Sequence, residues 1–157
     1  MAKLGYYKDG FTLDGSVKAD GLIKMLAATV TILKGQAIFN DGSGYATNAT
    51  TAFADGFLGI AAADIDNSGG DGYSVMIIPA LREYRWWVKV EADALIAQED
   101  IGLICDLEAN DSIDINDTTD VLVTGFQIYA MDVSADAVAI NTYGYAYGSF
   151  VHTADES

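Results

Sequence analysis

The sequence predicts an all-β fold, a small barrel or sandwich with an extended N-terminal arm and little helix. Three observations carry that expectation. The apolar runs are short, rich in Val, Ile, Thr and aromatic residues, and several alternate with polar residues at period two. Asn, Asp and Gly clusters separate them, in a chain with 16 glycines and one proline. Finally, 51% of the 157 residues are hydrophobic despite a formal net charge of −15, so the chain has the apolar surface to offset ordering entropy and is not a disordered polyanion.

This length is one domain's worth, able to bury roughly two-thirds of its unfolded surface without staples. No linker or internal repeat divides it, and the expected organisation is an arm over 1–25 and a single β domain over 26–157. In the arm, Gly5, Gly10, Gly15 and Gly21 interrupt the chain, and Asp9-Gly10 and Asp14-Gly15 are turn signals. Tyr6, Tyr7, Phe11 and Leu13 are too apolar for a free tail, so the arm is expected to dock on its own body or on a neighbour.

Strands are expected over 26–32, 36–40, 57–63, 73–79, 83–90, 112–115, 121–131, 137–141 and 145–151. Turns are expected at Lys34-Gly35 and at Asn40-Asp41-Gly42-Ser43-Gly44, and a polar hairpin loop from Asp64 to Gly72. The runs 57–63 and 73–79 are apolar on both faces, as in strands covered on two sides. The only helix-like pieces are short, at 16–25 and 92–97.

Charge and composition narrow the chemistry. With 8 Lys+Arg against 23 Asp+Glu, a general basic surface for nucleic acid or anionic membrane is excluded. The longest apolar stretch, 22–33, is shorter than the roughly 20 residues a bilayer requires and lacks a nearby cleavage site, so the chain reads as soluble and not exported by a cleaved signal. The single cysteine, Cys105, excludes an internal disulfide, and with the single histidine, His152, leaves too few ligands for zinc. A Ser–His–Asp site would rest on His152 and Ser157 in a tail. Nothing marks a carboxylate pair as catalytic, and no phosphate-cradling glycine loop is present. No catalytic residue and no enzyme activity are expected.

Calcium is the one cofactor the residues raise. Asp64, Asp66 and Ser68 occupy positions one, three and five of an EF-hand-like loop, with Gly69 at six. Val75 stands where the bidentate acid belongs, and the flanks are strands. The loop therefore reads as a solvated turn, with Asp64, Asp66 and Asp71 as the carboxylates that would serve a calcium ion. Asp111, Asp114, Asn116, Asp117 and Asp120 likewise read as turn formers.

The cations are concentrated. Lys3, Lys8, Lys18 and Lys24 lie in the arm, whereas from Glu91 onward there are 14 acids and no Lys or Arg. In Tyr84-Arg85-Trp86-Trp87-Val88-Lys89-Val90, alternation sends Tyr84, Trp86, Val88 and Val90 to the core and Arg85, Trp87 and Lys89 to the opposite face. Trp and Arg are enriched at interface hot spots, which makes Arg85, Trp87 and Lys89, with Tyr6, Tyr7 and Phe11 of the arm, the candidate partner-binding residues. The alternative for Trp87 is packing under a loop with Arg85 stacked on it. In Tyr143-Gly144-Tyr145-Ala146-Tyr147-Gly148, tyrosines share one face and small residues the other, where a neighbouring strand or subunit can approach closely.

Several of these segments resemble one family. Ile32-Leu33-Lys34-Gly35-Gln36-Ala37, Phe57-Leu58-Gly59-Ile60-Ala61-Ala62-Ala63-Asp64 and Gly72-Tyr73-Ser74-Val75-Met76-Ile77-Ile78 are similar, in order and spacing, to the strands of tailed-phage head decoration (cement) proteins. Asp100-Ile101-Gly102 running to Asp106-Leu107 resembles their extended relatives. The resemblance implies a β-barrel or β-tulip with an extended arm, made in a host cytoplasm. It implies a homotrimer on the outer surface of an icosahedral virion, clamping major capsid protein subunits. Two other readings stay open: another virion component such as a tail-tube subunit, and a calcium-dependent carbohydrate-binding β module.

Overall fold

Alternating burial along short strands sets the architecture. A computed structural model describes residues 10–17, 21–50, 52–53, 56–91, 94–118 and 124–151. Within them the strands are β1 (Thr12–Asp14), β2 (Ile23–Leu26), β3 (Thr31–Ile32), β4 (Ala37–Asn40), β5 (Ala46–Thr47), β6 (Phe57–Ala61), β7 (Ile65–Asp66), β8 (Ser74–Pro79), β9 (Arg85–Glu91), β10 (Ile104–Ala109), β11 (Ser112–Thr118), β12 (Gly125–Asp132) and β13 (Tyr145–Val151). One short helix, α1 (Ala135–Ile140), lies between β12 and β13. The fold is all-β, as the residue pattern predicts.

The first sheet returns on itself. β9 pairs in parallel with β11; β11 pairs with β10, β10 with β12, β12 with β13 and β13 with β9, all antiparallel. β1 adds to the first half of β9, pairing Thr12 with Trp87 and Asp14 with Arg85, and β11 takes the same edge from Lys89 onward. The second sheet runs β2-β8-β6-β4-β5, antiparallel throughout. A parallel bridge between Ala27 and Ala46, with the Ala28 amide donating to the Ala46 carbonyl at 2.8 Å, joins its two ends. The small β3–β7 pair packs Ile32 and Ile65 against this ring's core.

Two cores result, and the second sheet separates them. Ala37 and Phe39 of β4 and Ile60 of β6 face the larger core; Ile38, Ala61, Val75 and Ile77 face the smaller. These strands are therefore apolar on both faces, which is why 57–63 and 73–79 lack alternation. β9 shows the opposite pattern: Trp86, Val88 and Val90 are fully buried and their neighbours half-buried.

Aromatic rings tie the sheets together at Phe150 of β13. Phe57, Phe11, Phe126, Trp86 and Phe53 lie 5.1, 5.2, 5.4, 5.8 and 5.9 Å from its ring centroid. Close backbone approach matters at two glycines. A Cβ at Gly148 would collide with the Gln127 carbonyl of β12, and one at Gly59 with the Ile78 carbonyl of β8. The small face foreseen for 143–148 is thus used by a strand of the same chain.

Buried polar groups pin the loops. Asn67, 2% exposed, donates to the Ala27 and Ala28 carbonyls at 3.0 and 3.1 Å and accepts from the Tyr73 amide at 3.1 Å. Both amide hydrogens and the carbonyl oxygen are thereby engaged within the chain. Asp106, also buried, accepts from the Phe53 and Leu107 amides at 2.6 and 2.7 Å. Asn110 donates to the Asn48 carbonyl at 3.0 Å and connects the two sheets.

Several expectations are corrected. The helix over 16–25 is overturned where described, because β2 alternates at period two, with Ile23 and Met25 packed on the core and Lys24 and Leu26 exposed. Residues 94–97 are not helical; a single 3-10 turn, Gln98–Asp100, follows them, and Asp100 accepts from the Ala97 amide at 2.8 Å. The strand over 137–141 is instead α1. Ser134 caps it by accepting from the Ala137 amide at 3.3 Å, and the good helix formers Ala135, Ala137 and Ala139 outweigh Val138 and Ile140. The strand over 26–32 breaks between β2 and β3, where Asn67 takes the carbonyls. β10, hidden by its acidic residues, was not foreseen. The described part of 1–25 docks on its own body: Phe11 is core and β1 and β2 are sheet strands.

Phe150→Ala should lower unfolding free energy by about 3–5 kcal/mol in urea denaturation, the range for emptying an aromatic core site. Gly148→Ala should cost about 1–3 kcal/mol because the collision is with backbone, not with a side chain able to rotate away.

Candidate interaction surface

Strand alternation sends Arg85, Trp87 and Lys89 outward from β9, and pairing brings β1 and β13 alongside. Tyr147 stands beside Trp87 in register, their rings 5.0 Å apart and tilted at 49°. The Tyr147 hydroxyl donates to Asp14 Oδ2 at 2.8 Å, locking β1 to β13 across β9. The Arg85 guanidinium lies 4.8 Å over the ring of Tyr129 on β12 and donates to the Arg82 carbonyl at 2.6 Å. Tyr129 in turn bonds Ser149 Oγ at 2.9 Å and donates to Gln127 Oε1 at 3.3 Å. The product is a continuous outer face of aromatic rings, one guanidinium and hydrogen-bonded polar groups, all half-buried or exposed apart from Ser149.

One edge of this face is covered. α1 seats Ala137 against Tyr145, which is 1% exposed, and Trp87 packs against both. Trp87 therefore has a supported inner edge and an accessible remainder. Arg85 stacks on Tyr129. Lys89 is neutralised by Glu91 at 3.5 Å and Asp111 at 3.4 Å, so its charge is balanced within the chain.

The other candidates fall elsewhere. Phe11 is 2% exposed inside the larger core, 5.7 Å from Phe126; this corrects its assignment to a partner, because its ring is already fully used. Tyr6 and Tyr7 lie outside the described residues, as do His152 and Ser157. Tyr143 precedes β13 in a turn and packs on the larger core, so the outward tyrosines of that run are Tyr145 and Tyr147.

The acidic loop is internally engaged. Asp64 accepts from the Lys34 amide at 2.7 Å. Asp66 accepts from Ser68 Oγ at 2.6 Å, the Ser68 amide at 3.0 Å and Thr31 Oγ1 at 3.0 Å, and these bonds hold its carboxyl below the usual range. Asp64, Asp66 and Asp71 do not converge: among the described residues no group of three or more His, Cys, Asp or Glu is placed to hold a metal.

Tyr129, Gln127, Ser149 and Asp14 were missed from sequence. The period-two placement of Gln127 and Tyr129 was readable in the run 125–132, but the partner strand that brings Arg85 near them was not. No family model matches this chain, and no curated protein or solved structure matches it.

Two groups behind and beside this face are held in their neutral forms. Burial and nearby carboxylates push the Cys105 thiol from 9.0 up to about 12. Burial and the Glu91 carboxylate push the Tyr145 hydroxyl from 10.0 up to about 12. Both folded values lie above the unfolded ones, so the stabilisation is whole below pH 9 and is lost as pH rises toward about 12. Urea midpoints should decline across that interval, and the Cys105→Ala, Tyr145→Phe double variant should flatten the decline. In the native protein Cys105 should resist thiol reagents that label it in urea.

Proposed function

We propose that this protein is a non-enzymatic virion component, a capsid decoration protein that binds the outer surface of an icosahedral head and stabilises contacts between major capsid protein subunits. One observation carries the reading. Three of the four segments similar to decoration proteins fall together: Lys34-Gly35 turns into β4, 57–61 is β6 and 74–78 lies in β8, and these three strands are hydrogen-bonded neighbours in the second ring, whereas the segment from Asp100 to Leu107 runs into β10 of the first. Gly59 of the middle strand sits where the adjacent backbone admits no side chain. Most of the similarity thus falls on adjacent strands of one sheet.

The outer face of the first ring supplies a contact of the required kind. Trp87, Tyr147 and Arg85 are held by neighbours before any partner arrives, which lowers the entropic cost of binding. A shell presents many copies of the same joint, so a homotrimer with three modest contacts gains avidity. The acids from Glu91 onward would keep decorated particles soluble and apart.

On purified particles of the source virus, immunogold labelling should decorate heads; labelling confined to tails, or none, overturns the reading. Native mass spectrometry of the free or particle-released protein should give about three times the 16.6 kDa chain mass. Trp87→Ala should reduce head affinity by about 30-fold or more, the effect of losing a hot spot of 2 kcal/mol. Unchanged occupancy would exclude the β9 face as the contact.

A further inference from the structure

We infer that a cleft at the closing seam of the second ring is a binding site for a neutral saccharide. The cleft measures about 550 Å³, within the size range of small-ligand sites. Leu26, Thr29, Asp41, Ser43, Tyr45 and Asn67 line it, where the Ala27–Ala46 bridge joins β2 to β5. It lies on the second ring, away from the β9 face, and does not depend on the assembly role.

The walls are fixed and their outward chemistry is unused. Asn67 holds the floor through three internal hydrogen bonds, which engage both of its amide hydrogens. Asp41 uses Oδ1 to accept from the Ser43 and Tyr45 amides at 2.7 and 3.2 Å, which shapes the hairpin tip. Its Oδ2, with Ser43 Oγ, Thr29 Oγ1 and the Tyr45 hydroxyl, has no hydrogen bond among the described residues. Beside these stand two apolar surfaces, Leu26 at 49% and Tyr45 at 45% exposure.

That combination selects the ligand. No Lys or Arg lines the cleft and Asp41 does, so an anion is repelled. A compact ammonium group would answer Asp41 and leave the exposed apolar surfaces of Leu26 and Tyr45 uncovered. A pyranose answers both kinds of wall: adjacent hydroxyls donate to Oδ2 and exchange bonds with Ser43, Thr29 and Tyr45, while its C–H face lies on the Tyr45 ring and Leu26.

The test is titration of the ¹⁵N-labelled full chain with the methyl glycosides of glucose, galactose, mannose and N-acetylglucosamine, followed by ¹H–¹⁵N correlation spectra. Expected are saturable shifts at the Ser43, Tyr45, Gly70 and Gly72 amides for at least one glycoside, with Kd about 1–10 mM for a single sugar. Asp41→Asn, which keeps the Oδ1 acceptor of the turn, and Tyr45→Ala, at an exposed position, should each weaken binding about tenfold or more, with spectra otherwise unchanged. No saturable shift with any of the four, or shifts retained in both variants, overturns the inference. So does N-acetyl-lysine methylamide moving these amides where the glycosides do not, since that is a cation site.

Discussion

The molecule depends on the aromatic packing around Phe150. Its ring stands on the strand that closes the first sheet, and its neighbours come from both sheets and from the segment before β1. Each such edge or tilted pair adds about 0.5–1.5 kcal/mol beyond area burial. The larger stabilising contribution is that one core serves two rings. Phe39, Phe57 and Ile60 of the second ring pack into the core that it shares with the first. The outer face of β9 inherits its rigidity from the same source, because Trp86 and Val88 anchor the strand from behind while Arg85 and Trp87 project in front.

Much of this was legible wherever periodicity is local. The alternation at 84–90 assigned the inward and outward residues of β9 correctly, and the two-sided apolar runs at 57–63 and 73–79 announced strands covered on both faces. What failed had a competing local rule. At 135–140 the Ser134 cap and the alanines outweighed two β-branched residues. At 23–26 a short strand was masked by a spacing that also fits helix. β10 escaped notice because Asp106 and Glu108 look like loop residues, yet Asp106 is buried as an acceptor for two amides.

The interaction surface was half legible for a different reason. One strand's sequence reveals which side chains share its face, but not which strand lies next to it. Trp87 and Arg85 could be named, whereas Tyr129 and Asp14 required knowledge of pairings across the sheet. Lys89 shows the converse: its charge suggested a partner, and the fold supplies one internally through Glu91 and Asp111. The cleft beside the Ala27–Ala46 bridge had no signature in sequence, because its walls come from three separate turns.

The order of strands along the chain also sets an order of assembly on the ribosome. The second ring has all its strands once Pro79 has emerged, whereas the first needs β13, ending at Val151, to meet β9 across more than fifty residues. Until then Phe39, Phe57 and Ile60 of β4 and β6 lack the cover that Phe126 and Phe150 of the first ring give the shared core. Nascent chains in that interval are the ones most prone to stick to each other or to engage a chaperone. The delay follows from placing the ring-closing strand last, and it is the kinetic counterpart of a core shared between two sheets.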